Sequence, residues 1–301
     1  MNHRLLDVPG GRIHAVEQGS GPLVLLVHGF PESWYSWRHQ LPVLAEAGYR
    51  AVAIDVRGYG RSSRPAAVEA YRMLAHVGDN VGVVRALGES TATIVGHDWG
   101  SPIAANSALL RPDVFTAAAL LSVPFSPRGG PRPSDIFAGM GGENEFYVSY
   151  FQAPGRAEAE IEPDVRGWLR GFYAALVGDA GTWFFVAPGG RLSDGFPDTE
   201  LPDWLDLDHY VGEFERTGLT GALNRYRNAD RDWEDLAAWD GQPLAVPSLF
   251  IGGAEDASTS WMAEAVAAHP EAHVLEGCGH WIQQQRPDEV NALLLEWLAR
   301  S

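Results

Sequence analysis

Several stretches of the chain are apolar without polar alternation. Pro22-Leu23-Val24-Leu25-Leu26-Val27 is the clearest, a β-branched and leucine run suited to a strand buried on both faces. Ala51-Val52-Ala53-Ile54-Asp55, Thr91 to Val95, Phe115 to Val123 and Leu244 to Ile251 share that texture. Between them the apolar positions take helical spacing. Trp34 to Ala47 predicts a helix ending at Gly48, Arg72 to Leu87 one ending at Gly88, and Pro102 to Leu110 one stopped by Pro112. Ahead of these, Val8 to Glu17 is broken at Pro9-Gly10-Gly11 and alternates as a hairpin. Strands alternating with helices predict a mostly parallel central sheet with helices on both faces, an α/β architecture.

The rhythm then stops. Pro124 to Gly142 is rich in Pro, Gly and Ser and reads as a linker, and from Asn144 to about Trp239 no strand–helix alternation can be traced. Trp168, Trp183, Trp204 and Trp233 concentrate there, which suits an inserted helical lid, with Ala187 to Pro202 as a surface loop over the site entrance. The alternation returns at Leu244: Ser258 to Ala268 reads as a helix, Ala272 to Leu275 as an edge strand, and Pro287 to Leu298 as a closing amphipathic helix. The expected division is 1–128 for the first part of the core, 129–239 for linker and helical cap, and 240–301 for the rest of the core.

Composition narrows the chemistry. A net charge of −17 disfavours nucleic acid and anionic membranes, and no apolar run approaches the roughly 20 residues of a membrane span. The start of the chain lacks the apolar segment of a secretory signal and Cys278 is the single cysteine, so a cytoplasmic location is expected. All 22 basic residues are arginine, which removes Schiff-base chemistry, pyridoxal-phosphate attachment and the P-loop lysine. Metal-ligand spacings are absent: His269 and His273 are separated by Pro270 and belong to no H-E-x-x-H. Neither metal nor cofactor is expected.

The candidate chemistry lies at the ends of the apolar runs. Gly96-His97-Asp98-Trp99-Gly100 joins one of them to a helix with small residues two positions either side of Asp98, the pattern of a nucleophile elbow; Asp98 as a simple helix cap is the alternative. Asp256 follows the Leu244 to Ile251 run and His280 lies in Gly277-Cys278-Gly279-His280-Trp281, so nucleophile, acid and histidine occur in hydrolase order. Asp256 could instead cap the helix from Ser258, and Glu255 is a rival for the acid. A carboxylate attacking saturated carbon makes an ester that water can cleave; His280 would activate that water while Asp256 fixes its tautomer. Backbone N–H groups of Phe30, in His28-Gly29-Phe30-Pro31, and of Trp99 would hold the oxyanion.

At these residues the chain resembles the soluble epoxide hydrolases of the α/β-hydrolase fold, through His28-Gly29-Phe30-Pro31, Gly96 to Gly100, Asp256 and Gly279-His280-Trp281. Tyr150-Phe151-Gln152-Ala153-Pro154-Gly155 and Asn224-Arg225-Tyr226-Arg227-Asn228 look like the two family segments that carry lid tyrosines. The resemblance implies that Tyr150 and Tyr226 hydrogen-bond the epoxide oxygen, and that Pro31, Trp99 and Trp281 line the substrate site. The expected partners are a small epoxide and water, with a homodimer left open. The nearest alternative is a haloalkane or haloacid dehalogenase, which would share Asp98, Asp256 and His280 but not paired phenols. Arg225 and Arg227 read as solvated helix charges.

Overall fold

The apolar runs become strands in the computed structural model, which describes residues 1–178 and 184–301; Trp183 lies outside the described residues. In chain order the strands are β1 (Asn2–Val8), β2 (Gly11–Gln18), β3 (Leu23–Val27), β4 (Arg50–Ile54), β5 (Ala92–His97), β6 (Phe115–Leu121), β7 (Glu145–Phe146), β8 (Phe185–Val186), β9 (Ser248–Gly253) and β10 (Ala272–Leu275). Eight of them form one sheet in the order β1-β2-β4-β3-β5-β6-β9-β10. The β1–β2 hairpin pairs antiparallel with β4, and every ladder from β4 to β10 is parallel.

The unbroken apolar texture of β3 follows from this layering. Leu23, Leu25 and Val27 face the core that includes helices Met73–Ala86 and Gly100–Leu110, while Val24 and Leu26 face the one that includes helices Gln40–Glu46 and Pro287–Leu298. With both faces covered, no position on the strand is left for a polar side chain.

The helical insertion leaves at the end of β6 and returns to β9, its direct neighbour, where Ala118 pairs with Ser248. It comprises short helices, among them Arg156–Ile161, Val165–Ala175, Leu207–Thr217, Thr220–Tyr226 and Ala229–Asp235, and the two-residue ladder of β7 and β8. Among the described residues no helix is long and apolar enough to cross a membrane.

Four local expectations change. The helix predicted over Trp34 to Ala47 is split into a 3-10 turn at Trp34–Trp37 and a helix at Gln40–Glu46, because Pro42 has no N–H for a helix arriving from Arg38 and is tolerated only in a first turn. The stretch Pro124 to Gly142 contains a helix, Pro133–Met140, with Pro133 at its first position. Ser258 to Ala268 is interrupted at Met262 into Ala257–Trp261 and Ala263–Ala268. Loop 187–202 is pinned to the lid: the Glu160 carboxylate accepts the amides of Leu192 and Ser193 at 3.2 and 2.9 Å, and Phe196 packs edge-on to Trp168.

Candidate active site

The carboxyl ends of parallel strands β3, β5, β9 and β10 lead into the loops bearing Phe30, Asp98, Asp256 and His280, so residues far apart in sequence meet above one edge of the sheet. Asp98 sits directly after β5 with φ +51, a left-handed conformation that costs free energy and turns the side chain out of the strand. The turn closes only because residue 96 is glycine: a Cβ there would lie 2.0 Å from the Gly100 carbonyl oxygen. Gly29 is similarly required, since its Cβ would lie 2.2 Å from the Asp98 carboxylate.

The two oxygens of Asp98 have different partners. Oδ1 accepts the Phe30 amide at 2.6 Å, and Oδ2 lies 3.4 Å from His280 Nε2. Trp99 leads into helix Gly100–Leu110, among the amides that a helix start leaves without an intrahelical partner. On the other side of the imidazole, His280 Nδ1 is 3.1 Å from Asp256 Oδ2. Asp256 also caps the following helix, its Oδ1 accepting the Ser258 amide at 2.9 Å, so the structural and the chemical readings of this residue are both true of different oxygens. It is Asp256, not Glu255, that meets the imidazole.

The electrostatics follow from this stacking of charge. Burial alone would pull the His280 imidazole down, but the carboxylates of Asp256 and Asp98 outweigh it and push its pKa up to about 10. Burial would raise Asp256, yet its contact with His280 and the hydrogen bonds from Ser122 and the Ser258 amide hold it below the usual carboxylate value. At neutral pH the site therefore holds an imidazolium between two carboxylates.

Several supporting residues were not singled out from sequence. Ser122, at the end of β6 with φ +72, donates its hydroxyl to Asp256 Oδ2 and lies 2.9 Å from His280 Nδ1. No carboxylate follows β6, and a serine fills that place against the acid arriving from β9. Beneath the imidazole, His97 donates through Nε2 to the His280 carbonyl at 2.8 Å, and its Nδ1 lies 2.8 Å from Glu32. Glu32 in turn accepts the side-chain amides of Gln283 and Gln284 at 3.1 and 3.0 Å, joining the loop after β3, the end of β5 and the helix Ile282–Gln285 through one buried carboxylate. His97 lies inside one of the motifs that carry the resemblance and Glu32 directly follows another, which is the available signal.

Over Asp98 lies a cavity of about 520 Å³ whose wall is apolar apart from a few groups, among them Asp98, His280, Tyr147 and Tyr226. Phe30 and Trp99 line it, and the helix Pro133–Met140 contributes Ile136, Phe137 and Met140. Tyr226 meets the edge of the Trp99 ring at 5.0 Å between centroids. Burial raises the phenols of Tyr226 and Tyr147, and the nearby Asp98 charge adds to it, so both keep their protons.

Three expected site residues and one loop stand elsewhere. Tyr150 does not line the cavity; its hydroxyl donates to Glu160 and its ring lies 3.9 Å under the Arg156 guanidinium, while Tyr147, one helical turn earlier, faces Asp98. Trp281 is buried behind the wall, with its indole N–H donated to the Tyr173 carbonyl at 3.2 Å. Pro31 also stands behind it, its carbonyl accepting the Tyr173 hydroxyl at 2.9 Å. None of the described lining residues belongs to loop 187–202. Arg225 and Arg227 are buried rather than solvated, bound to Asp232 and to Glu158 respectively, and brace the helix carrying Tyr226.

Residues 22–287 match the α/β-hydrolase fold family. Over 98% of both chains the sequence is 44% identical to epoxide hydrolase B of Mycobacterium tuberculosis. Among solved structures it is similar to an epoxide hydrolase from an endophytic Streptomyces, with a TM-score of 0.97 and 73% identity over 99% of this chain and 95% of that one. It is also similar to epoxide hydrolase A of Mycobacterium thermoresistibile, with a TM-score of 0.94 and 43% identity over 99% and 98% of the two chains. Sequence and architecture agree over the whole length, and the chain belongs to the epoxide hydrolases of the α/β-hydrolase fold.

Proposed function

We propose that the chain adds water to an uncharged, lipophilic epoxide to give a vicinal diol, through a covalent ester on Asp98. The observation that carries this is the division of the Asp98 carboxylate, one oxygen on the Phe30 amide and the other toward His280, beneath two phenols in an apolar cavity. Oδ2 attacks an epoxide carbon and the C–O bond of the ring breaks. The departing alkoxide is strongly basic, and Tyr147 and Tyr226 donate hydrogen bonds to it and supply its proton; proton transfer of this kind contributes about 10²–10⁴ in rate. Tyr147 takes the role first assigned to Tyr150.

Esterification then removes the Asp98 charge. His280 loses one of the two carboxylates that hold its proton, restores the phenol through intervening water, and becomes the neutral base that activates the hydrolytic water. Asp256 keeps the imidazole oriented and stabilises it when it is charged again, and Ser122 supports both partners. Water adds at Asp98 Cγ; Oδ1 becomes the oxyanion, with the amides of Phe30 and Trp99 as its donors. Collapse expels the diol with Oδ2 and leaves the water oxygen in Asp98. Apart from Asp98 and His280 the cavity wall carries no charged side chain among the described residues, which supports an uncharged substrate with apolar substituents.

A single turnover of styrene oxide in ¹⁸O-labelled water tests the ester. Label is expected in the Asp98 peptide and not in the first diol; label in that diol would mean direct attack by water and would sink the mechanism.

A further inference from the structure

One patch of the surface runs against the charge of the whole molecule. In a chain of net charge −17, Arg12 on β2, Arg61 and Arg64 on the turn after β4, and Arg216 near the end of helix Leu207–Thr217 converge on a polar cavity of about 410 Å³. Arginines elsewhere are commonly matched to carboxylates, as Arg4 and Arg50 are by Glu17, and Arg57 by Asp79. Arg12, Arg61 and Arg64 form no ion pair among the described residues. Asp7 stands opposite Arg12 in the hairpin register without reaching it, and Arg216 alone has a carboxylate partner, Glu213.

The backbone holds this group together. The Gly60 carbonyl accepts from Arg64 at 3.2 Å and from Arg216 at 3.0 Å, so two guanidiniums are drawn to one oxygen. Ser63 accepts the Arg12 amide at 2.9 Å and donates its own hydroxyl to no described residue. Four like charges gathered this way repel one another, and a counter-anion relieves that repulsion. At physiological salt the screening length is about 8 Å, so a ligand in the cavity responds to these guanidiniums more than to the distant acidic surface.

We propose that this cavity binds a small polyvalent oxyanion of the pyrophosphate or phosphate-ester class. The planar guanidinium fork matches such groups in two-point contacts, and the Ser63 hydroxyl adds a neutral donor. Arg216 belongs to the inserted lid, whereas the other three arginines belong to the core. A bound anion therefore ties the lid helix to the turn after β4, which also packs against Gly221 in the helix carrying Tyr226.

The test uses inorganic pyrophosphate as the probe, with titration calorimetry and thermal unfolding of the full chain. Binding and a raised melting temperature are expected for the parent protein. Arg61→Ala/Arg64→Ala is expected to weaken binding by tenfold or more with epoxide turnover in the absence of pyrophosphate unchanged, and Arg64→Lys, which keeps the charge without the fork, to fall between. Three results would overturn the proposal: equal affinity in the double variant, an equal thermal shift from sodium chloride at matched ionic strength, or capture by phosphatidic acid vesicles without any response to pyrophosphate.

Discussion

Replacing Asp98 by asparagine imitates the ester in one respect, because it removes the charge while keeping the size, and it asks whether that charge holds the proton on His280. The two charged groups are 3.4 Å apart. At an effective dielectric of about 20 this separation gives about 5 kcal/mol of attraction. At about 1.36 kcal/mol per pH unit, that corresponds to between three and four units, and the amide dipole of asparagine retains part of it. His280, which titrates at about 10 in the parent, should therefore fall by about three units in Asp98→Asn, into the neutral range. The measurement is a pH titration of the imidazole nitrogens by long-range ¹H–¹⁵N NMR on histidine-labelled protein, with His280→Gln assigning the signal among the ten histidines. If His280 kept its proton to the same pH in the asparagine variant, Asp98 would not be what holds it. The step in which esterification releases a neutral base would then be wrong.

Tyr147→Phe and Tyr226→Phe should each slow ring opening by about 10²–10⁴ in rapid-quench kinetics, whereas Tyr150→Phe should leave it essentially unchanged; the opposite ranking would return the role to Tyr150. Gly96→Ala puts a methyl against the Gly100 carbonyl and should abolish turnover with a lowered melting temperature, whereas Gly78→Ala, in an open position of helix Met73–Ala86, should keep activity and add about 0.5–1 kcal/mol of stability. In urea unfolding, His280 binds its proton more tightly in the fold than in the unfolded chain. Its contribution is full below about pH 6.5 and is lost as pH rises through about 10, so stability that climbed over that window would contradict the assignment. Asp256 acts at the other end: with its pKa lowered in the fold, its contribution is present above the usual carboxylate range and lost on acidification, checked in the same series.

Much of this protein is determined locally and could be read from the chain. A strand covered on both faces must be apolar throughout, so β3 and β9 announce themselves, and the strand-to-helix turn at Asp98 demands glycine at 96 through its own Gly100 carbonyl, whereas Gly100 is required by the backbone of Val27 on the neighbouring strand. The order Asp98, Asp256, His280 follows the order of the parallel strands, and each lies just beyond a recognisable run. The lid is different. Tyr147 and Tyr150 are three residues apart on one short helix, and nothing in their immediate sequence distinguishes the phenol above Asp98 from the one held by Glu160. That choice is made by the packing of the helix against Phe151, Phe184 and Tyr226. Trp281 and Pro31 are likewise turned from the cavity by Tyr173, and Arg225 and Arg227 are buried because acids from other segments reach them. Only the tertiary structure decides such matters, because a side chain's exposure and partner depend on distant segments that no local pattern contains.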